Sequence, residues 1–119
     1  MVTVDPAHLV GTGGAFGALC RHYVAQAVEG DGFPLGTMTV NVLGSFVLGV
    51  VAFASVNSDI LLFVGVGAAG SFTTFSSFSF ETVRLWEDGY RRQATVNALG
   101  NLGGALVALG VAWGIVTVV

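Results

Sequence analysis

The residues most able to bind a small ligand are concentrated in one short stretch, GSFTTFSSFSFE, at positions 70–81. Phe75 and Phe78 are three residues apart, so their rings lie on nearly the same side of a helix. In a soluble protein such a pair is typical of a core, but here the rings alternate with hydroxyls. The edge of a phenyl ring is partially positive, so ring edges and hydroxyl donors together suit a small anion. The polar side chains on the adjacent face are Thr74, Ser77 and Glu81.

Three asparagines occur within otherwise apolar segments. Asn41 lies in TVNVLGSF without a charged neighbour, and Asn97 and Asn101 are four residues apart on one helical face. An asparagine amide offers two N–H donors and one carbonyl acceptor. Asn41 could hydrogen-bond to a neighbouring helix or donate to an anion, and the sequence leaves both interpretations open. For Asn97 and Asn101, interhelical bonding would explain one of the two, whereas a wet or ion-lined track would explain both.

The composition places these residues in a membrane. Of the 119 residues, 54% are apolar and 9% are charged, whereas a typical globular domain is about 25% charged. The net charge of −3 argues against a nucleic-acid partner, which requires a basic surface. We therefore expect a single domain that lies in the lipid bilayer of the cell membrane as a multi-pass protein.

Four apolar segments are long enough to cross a bilayer, which takes about 20 helical residues. The third is unusual, because its apolar part, Ile60 to Gly70, is too short to cross alone and runs into the hydroxyl-aromatic stretch. A broken helix at membrane depth is tolerated only where protein or a water-filled cavity surrounds it. The sequence predicts an all-α membrane protein of four transmembrane helices with a broken third helix, which Asp59 would cap. The predicted spans are 9–28, 35–56, 60–85 and 94–119.

Glycines at a spacing of four residues predict close helix packing in lipid. The pairs with this spacing are Gly13 and Gly17, Gly100 and Gly104, and Gly110 and Gly114.

Catalytic signatures do not occur in the sequence. His8 and His22 lack the spacing of a metal or nucleophile site, and neither H-E-x-x-H nor G-x-S-x-G is present. We therefore expect no enzymatic activity.

Three motifs in the observed order resemble those of the CrcB/Fluc fluoride channels: GGAFGALCR at 13–21, GTMTVNVLGSF at 36–46 and GSFTTFSSFSFE at 70–81. The resemblance implies a fluoride-specific ion channel that passively exports fluoride and so protects the cell from its toxicity. It also implies that two four-helix subunits assemble as an antiparallel dimer, with dual topology in the membrane.

The resemblance implies roles for individual residues. Asn41 would be the pore asparagine, and Phe75 and Phe78 would flank bound fluoride. The backbone carbonyls of Gly70 and Thr73 would hold a structural sodium ion at the dimer axis. The remaining residues of the implied pathway are Thr74, Ser77 and Glu81, with Arg21 at the vestibule.

The fourth segment departs from the family pattern, which commonly has tyrosine and serine on its polar face. The corresponding positions here are Asn97, Asn101 and Ala105. Asn101 can replace serine as a donor and suits the fluoride pathway, whereas Ala105 has no donor.

Two further functions are compatible with a small four-helix membrane protein. A proton-coupled exporter usually needs an ionisable carboxylate deep in the bundle, but the one acid within the apolar segments, Glu81, lies near the end of the third. A purely structural membrane subunit would leave the hydroxyl-aromatic stretch unexplained.

The distribution of arginines bears on the partner. Arg84, Arg91 and Arg92 lie at or near the loop after the third segment, and the positive-inside rule would place that loop in the cytoplasm. A fixed orientation favours a heterodimer with an oppositely oriented paralogue, whereas the family resemblance favours an antiparallel homodimer. The sequence leaves both open.

Overall fold

The structure is a computed structural model that describes residues 3–30 and 32–119. Every regular element in these two ranges is helical, which confirms the predicted all-α fold class. The elements in chain order are α1 (Pro6–Val28), α2 (Leu35–Phe53), α3 (Ser58–Ile60), a π-helix (Leu61–Ala69), α4 (Gly70–Phe72), α5 (Phe75–Glu87) and α6 (Arg91–Val118).

Three helical stretches in the described residues are long and apolar enough to cross a membrane: Leu35–Phe53, Ser58–Glu87 and Arg91–Val118. They correspond to the second, third and fourth predicted spans, with ends that differ by a few residues. Helix α1 has 23 residues, about 35 Å, but its C-terminal part carries Arg21 and other polar side chains and lowers its apolar character. A fourth membrane span therefore stays a prediction.

The third stretch is not one uniform α-helix. In the π-helix, Leu61–Ala69, the backbone bonds reach one residue further than in an α-helix, and the Gly70 N–H bonds to the Gly65 carbonyl at its end. After α4, the backbone is extended at Thr73 (ψ 160°) and at Thr74 (φ −147°, ψ 118°), and α5 begins at the next residue. The stretch starts at Asn57, whose side-chain oxygen accepts from the Ile60 N–H at 3.0 Å.

Asn57, and not Asp59, is therefore the capping residue of this stretch. Asn57 has extended backbone angles immediately before the first helical residue, as an N-cap requires, whereas Asp59 already lies in the first turn. The prediction of Asp59 as the cap was wrong.

Helix α1 packs against the π-helix through glycine. A Cβ at Gly13 would overlap the backbone carbonyl of Phe63, and a Cβ at Gly17 would overlap that of Ala68. The contact is thus backbone against backbone, as the spacing of Gly13 and Gly17 predicted.

The other two glycine pairs have different outcomes. Gly100 and Gly104 lie against the side chains of Met38 and Val42 on α2, so this pair also serves close packing. At Gly110 and Gly114, no described atom of another helix lies within 4 Å of the position that a Cβ would take, and their predicted packing role is not seen within the described residues.

We predict that Gly17→Ala destabilises the protein by about 1–3 kcal/mol, because the added methyl overlaps a backbone carbonyl that cannot move freely. Gly11→Ala is the matched control, since Gly11 lies on the same helix and no described atom of another helix is within 4 Å of the added methyl. Thermal denaturation in detergent measures both. Equal melting temperatures for the two variants would contradict the close packing of α1 on the π-helix.

Candidate functional site

The extended backbone at Thr74 is held by the amide of Asn41, from the middle of α2. The Asn41 Oδ1 accepts from the Thr74 N–H at 2.8 Å, and the Asn41 Nδ2 donates to the Thr74 carbonyl at 3.1 Å. An unpaired backbone group in hydrocarbon costs several kcal/mol, so this double hydrogen bond makes the extended backbone tolerable at membrane depth. Of the two interpretations of Asn41, bonding to a neighbouring element is seen, and donation to an anion stays a prediction.

A chain of hydrogen bonds continues from Asn41 into α6 and back to α5. The Asn41 Nδ2 donates to Asn101 Oδ1 (2.9 Å), and the Asn101 Nδ2 donates to the backbone oxygen (2.8 Å) and Oδ1 (3.0 Å) of Asn97. The Asn97 Nδ2 donates to Thr82 Oγ1 (2.9 Å), which donates to the Phe78 carbonyl (2.7 Å). We call Asn41, Asn101, Asn97 and Thr82 the amide chain.

The side cavity, of about 330 Å³, lies beside the extended backbone. Phe75 and Phe78 line it, with ring centroids 5.8 Å apart and ring planes at 50°. Seven of the residues singled out in the sequence line this cavity: Asn41, Gly70, Thr73, Thr74, Phe75, Phe78 and Asn101. Ala105 lines it as well.

The end cavity, of about 750 Å³, lies between the C-terminal part of α1, the start of α2 and helix α5. Arg21, Ser77 and Glu81 line it. Thr74 is the one described residue that lines both cavities, so the extended backbone stands between them.

The carboxylate of Glu81 has two different surroundings. Its Oε1 accepts from the hydroxyl of Thr37 at 3.0 Å, whereas its Oε2 is buried without a hydrogen-bond partner among the described residues. Arg21, on the same cavity, donates through Nη1 to the Thr73 carbonyl at 3.5 Å, and no salt bridge joins it to Glu81 in the described part of the chain.

Two residues of the site were missed in the sequence, Thr37 and Thr82. A threonine in a helix usually bonds to its own backbone, and nothing in the letters around these two separates them from other threonines. For Thr82, the spacing of Asn97 and Asn101 was the available signal. Two buried amides on one face of α6 need a polar partner on the helix that packs against that face.

Comparison with known proteins identifies the family. Residues 8–115 match the family model described as "CrcB-like protein, Camphor Resistance (CrcB)". The chain is 65% identical over 119 residues to "Fluoride-specific ion channel FluC 2" of Haloarcula marismortui, with both chains covered completely. It is 47% identical over 108 residues to "Fluoride-specific ion channel FluC 1" of Halobacterium salinarum, covering 91% of each chain. It is also 41% identical over 104 residues to "Fluoride-specific ion channel FluC" of Methanocaldococcus jannaschii, covering 83% of this chain and 84% of that one.

These matches extend over nearly the whole chain and include all three motifs on which the resemblance was based. The predicted resemblance is confirmed, and the chain belongs to the CrcB family.

Proposed function

We propose that this chain is a fluoride-specific ion channel that passively exports fluoride across the cell membrane and so protects the cell from fluoride toxicity. The observation that carries the proposal is the side cavity, where the amide of Asn41 and the rings of Phe75 and Phe78 meet at the extended backbone. The names of the relatives support it, since each describes a fluoride-specific channel and none describes an enzyme.

The anion would pass from the end cavity, past Thr74, into the side cavity. Fluoride is small and strongly hydrated, so a narrow passage must replace its water with close donors. Neutral amides, hydroxyls and ring edges can do so and still release the ion, whereas a cationic side chain would hold it. The side cavity is lined by neutral residues only, among those described, and Arg21 lies on the end cavity, where it is partly exposed.

Helix α1 would be a fourth transmembrane helix. It contacts the π-helix through Gly13 and Gly17, and the π-helix is part of a stretch apolar enough to span. Two helices whose backbones are in contact at these glycines lie at the same membrane depth. The third helix would then act as a broken helix, with Thr73 and Thr74 as the break.

A second subunit would cover the side cavity. Phe75 is 79% exposed although its ring lines the proposed pathway, and Leu102, which also lines the side cavity, is 60% exposed. An anion held there in one subunit alone would face lipid. We therefore propose an antiparallel dimer, either of two copies of this chain or with an oppositely oriented paralogue, which the arginines at 84, 91 and 92 favour.

A structural sodium ion at the dimer axis, held by the backbone carbonyls of Gly70 and Thr73 from both subunits, completes the proposal. Both residues line the side cavity. The Gly70 oxygen accepts from Thr73 Oγ1 at 3.4 Å and the Thr73 oxygen accepts from Arg21 at 3.5 Å, and both bonds are long. Each carbonyl has a second lone pair, and hard oxygen ligands without carboxylates suit a monovalent cation.

Fluoride efflux from liposomes that contain only this chain tests the function. A channel releases fluoride when valinomycin compensates the charge, without a proton gradient, and excludes chloride. Fluoride release that requires a proton gradient would favour a coupled exporter, and no release would favour a heterodimer whose partner is missing. Adding a co-expressed, oppositely oriented paralogue separates that last outcome from the absence of channel activity.

We predict that Phe75→Ile or Phe78→Ile lowers fluoride flux about tenfold or more, equivalent to ~1.4 kcal/mol or more of barrier, because the ring edges are lost. Phe80→Ile is the matched control, since Phe80 is on the same helix, is 65% exposed and is not among the residues lining either cavity in the described part of the chain. Flux at parental level in both cavity variants, with an intact assembly on gel filtration, would contradict the role of the rings.

We predict that Asn41→Asp abolishes flux, because a carboxylate cannot donate and brings negative charge into the anion pathway. Asn57→Asp makes the same chemical change at an exposed helix cap, where the side chain only accepts, and should conduct normally. Near-normal flux through the Asn41→Asp variant would limit Asn41 to holding Thr74.

We predict that replacing sodium by N-methyl-D-glucamine lowers flux several-fold and weakens the dimer, and that returning sodium restores both. Potassium is the salt-matched control. Density with short carbonyl–ion distances at the dimer axis would support the site, whereas an axis filled by side chains, with sodium-independent flux, would refute it.

A further inference from the structure

The hydrogen bonds through Asn41 and Asn101 can run from donor to acceptor in one direction only, because this pair of amides is bonded to a backbone group at each end. The Thr74 N–H can only donate, so it must face the oxygen of Asn41 and turn the Asn41 Nδ2 towards Asn101. The backbone oxygen of Asn97 can only accept, so it must face the Nδ2 of Asn101. The Asn101 oxygen therefore accepts from the Asn41 Nδ2. An amide flip at either asparagine would place donor against donor or acceptor against acceptor.

This direction determines what Asn101 presents to the side cavity. Both of its N–H groups are bonded within α6, to the backbone oxygen and Oδ1 of Asn97, and its acceptor oxygen is turned to Asn41. Asn101 is 5% exposed and Asn97 is fully buried, so water does not readily replace these bonds. As arranged here, Asn101 lines the cavity without offering it a donor.

The Asn41 amide is equally occupied. Its two N–H groups are bonded to the Thr74 carbonyl and to Asn101 Oδ1. An anion in the side cavity can receive a donor from Asn41 only by displacing one of these two oxygens. The bond to the Thr74 carbonyl is one of two hydrogen bonds that join Asn41 to the Thr74 backbone, whereas the bond to Asn101 is a single bond to a side chain on another helix. The Asn101 oxygen is therefore the one that an anion would displace.

We infer that Asn101 is a positioning residue that competes with the anion for an Asn41 N–H, and is not itself a fluoride donor. The inference rests on the proposed channel function and reverses the sequence-based expectation that Asn101 donates to the pathway. The competing oxygen keeps fluoride from being held so tightly that it cannot leave, which is a condition for rapid passage. Thr82 and Asn97 act through Asn101, and neither is among the described residues that line the cavities.

The two roles of Asn101 predict opposite shifts. If Asn101 were a donor to fluoride, Asn101→Leu would raise the fluoride concentration that gives half-maximal flux. If Asn101 competes with fluoride, the same variant frees an Asn41 N–H, so that concentration falls, by three- to tenfold, and maximal flux also falls. A purely structural defect would reduce the amount of active protein and leave the half-maximal concentration unchanged.

Thr82→Val provides a second test with a smaller change in shape. It removes the acceptor of Asn97 Nδ2 and loosens the hold of Asn97 on Asn101, so the half-maximal concentration should fall in the same direction. Thr82→Ser restores the hydroxyl and should restore the parental value. Thr95→Val is the matched control, because Thr95 also bonds the carbonyl four residues earlier but does so on an exposed part of α6.

The experiment measures fluoride flux from liposomes against fluoride concentration for the parent and these variants. A fall for both Asn101→Leu and Thr82→Val, with no further fall in the double variant, supports the inference. A rise in the half-maximal concentration, or no shift of it in either variant, overturns the inference. Fluoride flux through the parent chain would then still support the channel function. A parent chain that carries no fluoride, alone or with a paralogue, would overturn the proposed function and this inference together.

Discussion

The backbone of a membrane helix can be interrupted only where other protein groups bind the freed N–H and C=O groups, because hydrocarbon contains no water that could do so. At Thr74 both groups are bound by one side chain, the amide of Asn41. This requirement fixes α2 against the start of α5 and brings the amide beside Phe75 and Phe78. Asn41 therefore both lines the side cavity and stabilises the backbone beside it.

Around this junction the fold is built from small side chains. The described core includes Val40, Ala94 and Ala112, each at most 1% exposed, while large apolar residues such as Phe75 and Leu106 point outwards. In lipid, burial of apolar surface hardly favours one helix contact over another, so close backbone approach and interhelical hydrogen bonds must hold the helices together. The amide chain and the glycine contacts supply these two kinds of interaction.

Much of the site could be predicted from the sequence, because polar residues inside apolar segments are few. The hydroxyl-aromatic stretch and Asn41 stood out, and the structure brings Asn41 together with Thr74, Phe75 and Phe78 of that stretch at the side cavity, while Ser77 and Glu81 line the end cavity. The hydrogen-bond direction of Asn101 could not be predicted, since an amide carries donors and an acceptor and only its neighbours decide which one faces the cavity. The π-helix was equally hidden, because glycine-rich apolar sequence permits several helical forms without selecting one.

The contact of α1 with the π-helix joins two helices with different numbers of residues per turn. The glycines in contact, Gly13 and Gly17, are four residues apart, whereas the carbonyls they meet, of Phe63 and Ala68, are five apart. Because the two helices repeat at different spacings, the glycines of α1 and the carbonyls of the π-helix coincide at one alignment and diverge on either side of it. Sliding α1 by four residues would bring Leu9 or Arg21 against a carbonyl that now meets glycine. Helix α1 and the π-helix can therefore pack in a single register. That register also sets the position of Arg21, along the helix axis, relative to the Thr73 carbonyl.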